Sequence, residues 1–435
     1  MLPHPDQLKF YRFRYLLLHD GWLSPAYVGV DKAGLVQYLS TEKPPAEAAV
    51  EMVEGAALPG FQNAHSHAFQ FGMAGRAETH QEGIEDDFWT WREAMYTCAL
   101  SYSPSQMKKV AVRLYKQMLR NGYTHVGEFH YLHHDQNGQP YANLAEMGER
   151  LIEAAAEAGI KVTLIPVFYQ KGNFNTAPAP RQRRFICHDT DAYFKLLDSS
   201  RIAVSRYENA GLGFGVHSLR AVDAAAIQTT YADGPENLPF HLHAAEQLKE
   251  VDDCVAALGQ RPVEWLLDNL EAGPRLNLVH CTHMTESETS RLAASGATVI
   301  LCPGTEANLG DGIFSLKAFT RHNGSWAIGT DSQVSLNPLE DLRWLDYTQR
   351  LQSHKRNTFA DGASLMIHSS LVSGRKAMGA ASESYFSVGK PLDAAVYDLK
   401  HPALEQASPG YLLAAMVYTA DSAALLGTMV NGKWV

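Results

Sequence analysis

The stretch "PGFQNAHSHAFQ", residues 59–70, places His65 and His67 one residue apart after an apolar run. Alternate side chains of a strand point the same way, so both imidazoles would aim at one point. Two converging imidazoles are a natural start to a metal site. Alone the pair is a weak motif, and a polar strand-to-loop junction with two surface histidines explains it as well. The chain has 19 histidines, and where the others fall supplies the deciding signal. One apolar run ends in His217. Another ends in "HLHAAE", with His241, His243 and Glu246, and a third in "HCTH", with His280 and His283. A last one ends in "GTDSQ", with Asp331. Random scatter would not put histidines repeatedly at run ends. His65, His67, His243 and Asp331 then make a three-histidine, one-carboxylate site, suited to one divalent ion, Zn2+ first, with an open position for water. His241 is read as structural. In "HYLHH" (130–134), His130, His133 and His134 are read as loop residues.

The elements that must position these groups are eight apolar runs. They are 56–61, 124–129, 161–168, 211–217, 238–243, 275–280, 297–302 and 325–331. Each is nearly continuous in apolar residues, as a strand buried on both faces should be. Helical stretches lie between them. Residues 104–122 carry Leu114, Met118 and Leu119 at helical spacing and stop at Asn121-Gly122. Residues 142–159 are rich in helix formers and end at Gly159. Residues 285–296 open with Thr285 and Glu288 at capping-box spacing. Strands alternating with helices imply a parallel sheet, and eight such units imply an α/β fold, a (β/α)8 TIM barrel. Active sites of such barrels sit at the C-terminal strand ends, where these histidines fall.

The chain's ends read differently. "FYRFRYLLL", "AYVGVD" and "GLVQYL" within 1–55, and "FSVGKPLDAAVYDL" and "GTMVNGKWV" within 386–435, are short strand patterns, the last with an Asn-Gly hairpin signal. Neither end can bury a good core alone. The expectation is a small composite β-sandwich from 1–55 and 386–435, attached to a hydrolase barrel over 56–385. With 46% hydrophobic and 19% charged residues in 435, composition is that of an ordinary globular protein. A net charge of −10 gives no basic face for nucleic acid or anionic membrane. Five scattered cysteines without C-x-x-C suit reduced thiols in a cytoplasm. The N-terminus "MLPHPDQLKFYRF" lacks a leader's apolar region, and no run is long enough to span a membrane.

H-x-H after strand one, His and then Glu three residues on after strand five, His after strand six and Asp after strand eight resemble the amidohydrolase superfamily, in its deaminase branch. Binuclear members carry a modified lysine at the end of strand four. His217 of "GVHSLR" stands there, which implies a single metal. Within that branch the chain is similar, over nearly its whole length, to the formimidoylglutamate deiminases. "NAHSHAFQ", "DDFWTWREAMY", "GEFHYLHHD", "GVHSLR" and "HAAEQLKEVDDC" carry the likeness. The resemblance implies metal-dependent hydrolysis of N-formimino-L-glutamate to N-formyl-L-glutamate and ammonia, in histidine degradation. A nucleobase, or another amidine or guanidine, is the alternative substrate.

Zn2+ would lower the pKa of water toward ~7. Asp331 would be both ligand and general base. His280, preferred over His283 because it ends its strand, would orient or stabilise the attacking hydroxide. Glu246 would protonate the leaving nitrogen, best with a pKa raised by burial. Two substrate carboxylates call for arginine, Arg220 first and Arg92 for the second. His217 could serve the same carboxylate or the formimino end. Gln70 and Tyr131 match binding positions that the resemblance implies, and Trp89 and Trp91 could wall the pocket. Barrels of this kind often pair, so a homodimer is an open assembly, though no residue marks an interface.

Overall fold

A computed structural model describes residues 8–79, 86–380 and 384–435. The first residues of the N-terminus read above for a leader, 1–7, lie outside this set. Eight parallel strands form the central barrel. They are Phe61–Ser66, Tyr123–His130, Lys161–Phe168, Phe214–Ser218, Phe240–Ala244, Leu276–His280, Thr298–Leu301 and Ser325–Ile328, here strands one to eight. Each pairs in parallel with its neighbours in this order. Strands four to six are buried at every position, which is why their sequences read as largely apolar runs with a histidine at or next to the end.

Closure of the barrel occurs at the H-x-H itself. Asp331 N donates to His65 O at 3.0 Å, and His67 N donates to Asp331 O at 3.1 Å. These bonds join the end of strand one to the segment after strand eight. Gly329 permits the approach. A Cβ there would lie 2.7 Å from His65 Cβ and 2.9 Å from His65 O. Backbone cannot yield as a flexible side chain can. Gly329→Ala is therefore expected to cost about 1–3 kcal/mol, the range for overpacking. A lower Tm would show it, and an unchanged Tm would contradict the tight seam.

The first expected strand is displaced. Residues 56–58 of "AALPGF" lie in Val50–Pro59, which belongs to a separate sheet, and strand one of the barrel begins only at Phe61. An apolar run shows burial but not which sheet receives it. The fourth run also divides, because Ala210–Leu212 pairs outside the main path with strand three and Phe214–Ser218 continues the barrel. The helices follow expectation, at Pro104–Leu119, Glu146–Ala158 and Glu286–Ser295. Thr285 and Glu288 form the reciprocal capping box.

The two termini share one eight-stranded sheet. Val50–Pro59 runs parallel to Lys9–Leu18 on one side and antiparallel to Ala394–Asp398 on the other. Its last hairpin turns at Asn431 and Gly432, with φ of 48° and 68°, which is the left-handed backbone that Asn-Gly tolerates. A Lys161–Asp393 ion pair ties this sheet to the barrel. Among the described residues, no helix is long and apolar enough to cross a membrane.

Candidate active site

Strand ends bring the predicted groups to one place. His65 lies in strand one and His67 just beyond it, and His243 lies in strand five. Their ring nitrogens face one another. His65 Nε2 is 3.1 Å from His67 Nε2 and 3.2 Å from His243 Nε2. Asp331 Oδ1 lies 3.2 Å from His67 Nε2 and 3.6 Å from His65 Nε2.

The far side of two of these rings is fixed. His67 Nδ1 is 2.9 Å from Phe129 O, and His243 Nδ1 is 3.0 Å from His217 O. A carbonyl only accepts, so each Nδ1 carries the proton and each Nε2 turns a lone pair inward. Burial pushes His65 down to about 3, and holds His243 well below the usual imidazole range, so both stay neutral. Converging buried lone pairs repel unless a cation stands between them. Ligands around a tetrahedral ion with Zn–N of ~2.0–2.1 Å lie about 3.3 Å apart. The observed spacing fits that shell, and His65, His67 and His243 could hold the ion with Asp331 beside them.

His280 ends strand six with a φ of 72°, and Asp331 has a φ of 47°. Left-handed backbone at non-glycine residues is uncommon and clusters at functional sites. Here it turns both side chains into the barrel mouth. His280 Nε2 lies 3.7 Å from Asp331 Oδ2 and 3.6 Å from Glu246 Oε1. Burial disfavours the imidazolium, but Glu246, Glu306 and Asp331 around it raise its pKa to about 10. Burial also raises Glu246, with Asp331 and Glu250 adding to it, against the opposing pull of His280 and Arg220.

A cavity opens over these groups. His67, His243, Glu246, His280 and Asp331 line its floor, with Gln70, Tyr131, His217, Arg220 and Arg92 around them. His65 lies behind the lining, and His283 is not part of it. Arg220 is not a surface residue. It is 4% exposed, with Nη1 3.4 Å from Glu250 and Nη2 3.7 Å from Glu246. Arg92 stacks over Trp89 with its guanidinium carbon 4.6 Å from the ring centre, and Trp91 lines the cavity. Three buried polar atoms of this lining make no hydrogen bond, namely Arg92 Nε, Arg220 Nη1, whose contact with Glu250 is an ion pair, and Gln70 Oε1. Burial, with Arg220 and His67 nearby, keeps His217 neutral.

His241, read as structural, and His133 and His134, read as loop residues, each bond a backbone carbonyl. His241 Nε2 is 2.8 Å from Ala377 O, His133 Nε2 is 2.9 Å from Val167 O, and His134 Nε2 is 2.8 Å from Ile186 O. His130 stands at the end of strand two rather than in the loop, packed edge-on against His133.

Several lining residues were missed. Tyr96 and Tyr169 line the cavity, and Gln182 Nε2 donates to both hydroxyls, at 3.0 and 2.8 Å. Each hydroxyl keeps its own proton to donate. Tyr169 follows strand three directly, so the rule that found the histidines could have found it. Glu306 was also missed. It sits on the short helix Pro303–Asn308, accepts from Cys302 N at 2.8 Å, and lies 3.2 Å from His280 Nδ1. No sequence signal links it to His280, since only the fold joins them.

The amidohydrolase family model matches residues 56–435. The chain belongs to the amidohydrolase family. Members of this family depend on metal, and the histidine cluster gives this chain a place for one. The formimidoylglutamate deiminase of Pseudomonas aeruginosa is 43% identical over 428 residues, covering 96% of this chain and 92% of that protein. A crystal structure of an amidohydrolase from Brucella melitensis is 38% identical with a TM-score of 0.89, covering 98% of this chain and 94% of that one. An adenosine deaminase from Xanthomonas campestris with bound zinc shares the fold, at 21% identity and a TM-score of 0.80, over 98% and 92% of the two chains.

Proposed function

We propose that this amidohydrolase is a formimidoylglutamate deiminase, which hydrolyses N-formimino-L-glutamate to N-formyl-L-glutamate and ammonia around one Zn2+ held by His65, His67, His243 and Asp331. One observation carries the substrate choice. Two arginines, Arg220 and Arg92, line a cavity whose floor is the histidine cluster. Paired cations suit a substrate with two carboxylates, and would be idle against a neutral nucleobase. Gln70 Oε1, an unpartnered acceptor, suits a formimino N–H.

A divalent ion held by His65, His67, His243 and Asp331 would lower the pKa of a water and so supply the nucleophile at neutral pH. Asp331 takes a proton as the water oxygen joins the formimidoyl carbon. His280, cationic between Glu246 and Asp331, stabilises the charge growing on that oxygen. The formimino group enters as its cation, so attack leaves the terminal nitrogen as NH2; Glu246 passes it the proton that makes it ammonia, and the proton on Asp331 goes to solvent. The C–N bond breaks, ammonia leaves, and Glu246 regains a proton from the carbon-bound hydroxyl as the formyl C=O forms. Arg220 and Arg92 hold the carboxylates, with His217, Tyr131 and Gln70 completing the contacts. The chemistry belongs to 56–385, with 1–55 and 386–435 as its support. Five buried, unpaired cysteines favour a cytoplasmic setting.

The direct test is ammonia release from N-formimino-L-glutamate, with a metal-stripped control and N-formyl-L-glutamate assayed as co-product. No reaction by protein holding one equivalent of zinc would reject the substrate. Two substitutions refine it. Arg220→Lys keeps the charge but loses the planar fork, so KM should rise about 10–100-fold. An unchanged KM would remove Arg220 from binding. Glu306→Gln should lower kcat about 10–100-fold, the size seen when a carboxylate that orients a site histidine is lost. KM should stay near its wild-type value, and a kcat within twofold would leave Glu306 without a role.

A further inference from the structure

We propose that Glu246, His280 and Asp311 form a second divalent-cation site whose filling switches the enzyme off. One ligand atom from each lies within 4.8 Å of the others, and all three residues are buried. Asp311, beyond the helix Pro303–Asn308, is 4% exposed. One of its oxygens accepts from Gln247, while Oδ2 is buried and has no partner. An unsatisfied buried carboxylate oxygen beside a histidine and a second carboxylate is what a cation would complete.

His280 is set up as a ligand by its neighbours. Its Nδ1 is tied to Glu306 Oε1 at 3.2 Å, so Nε2 is the atom that faces Glu246 and Asp331. A carboxylate behind a histidine is the usual support for metal ligation. Asp331 lies between the two centres, with Oδ1 toward His65 and His67 and Oδ2 toward His280. Four carboxylates, of Glu246, Glu306, Asp311 and Asp331, crowd this region against the cations of His280 and Arg220. Mixed nitrogen and oxygen ligands suit Zn2+. An ion here takes the place of the proton on Nε2 of His280 and binds an oxygen of Glu246, with both protons released to solvent, so that carboxylate has no proton to give. The inhibitory consequence rests on Glu246 being the acid, as proposed above, whereas the binding does not.

The test uses the whole zinc-loaded enzyme titrated with further zinc. Zinc-edge anomalous diffraction from crystals soaked in excess zinc should show two peaks in the wild-type protein, one at the three histidines and one at Glu246, His280 and Asp311. Asp311→Asn, which keeps shape and removes charge, should show only the first. Ammonia release by the wild-type enzyme should fall at least tenfold as the second site fills. Asp311→Asn should keep its basal rate and resist the excess. A single peak in the wild-type protein overturns the site. A second peak that persists in Asp311→Asn overturns the ligand set. Two wild-type peaks with undiminished ammonia release would keep the site and reject Glu246 as the acid.

Discussion

Loss of the cluster's metal should abolish turnover, and His65→Ala should reproduce that loss permanently. His65 is fully buried, and its Nε2 lies within 3.2 Å of both other ring nitrogens. Removing it leaves His67 and His243 with a gap between them and frees the ion. The metal would bring the pKa of a bound water down to about 7. Ammonia release should therefore fall on the order of a thousandfold or more. Chelation of the wild-type enzyme should give the same loss, reversed by one equivalent of zinc. Zinc should not restore His65→Ala, whose metal content by mass spectrometry should be near zero. Retained activity after complete chelation would remove the metal from the mechanism. The chelation arm is independent of folding, which matters because His65 O also accepts the bond that closes the barrel.

Glu246→Gln should lower kcat by about 10²–10⁴, the range for loss of a positioned proton donor, with zinc content unchanged. Gln keeps the shape but has no proton of suitable acidity. The pH profile gives an independent readout. Burial raises the pKa of Glu246, and the group works only when protonated. The wild-type rate should then hold at low pH on this limb and fall as pH rises through the raised value. His280 also titrates high, so the limb belongs to the pair rather than to either residue. Glu246→Gln should flatten this alkaline limb while leaving the acid limb, which needs Asp331 ionised. A rate within threefold of wild type at neutral pH would reject Glu246 as the acid.

Much of this arrangement was legible because a parallel barrel writes its strands plainly. Strands buried on both faces become apolar runs, and polar residues at their ends stand out. His217, His243 and His280 were found in this way, and they lie at the barrel mouth. The Asn-Gly hairpin and the Thr285–Glu288 cap were equally local, each fixed by a few neighbouring residues. The first barrel strand was misplaced by about five residues because the chain passes straight from one sheet into another. Residues on both sides of Gly60 are buried, so the pattern carries no boundary.

By itself, then, the sequence determined the barrel class, the histidines at its strand ends and the family likeness. These depend on strand periodicity and on residue type, which act over short stretches of chain. Tertiary structure alone decided which groups meet. The pairing of Glu306 with His280, of Arg220 with Glu250, and of Gln182 with Tyr96 and Tyr169 joins side chains from different elements. It also decided the electrostatics. Burial keeps His65 and His243 neutral, whereas three nearby carboxylates raise His280. Identical imidazoles thus acquire opposite charge states from depth and neighbours, which are properties of the packed molecule rather than of any segment of the chain.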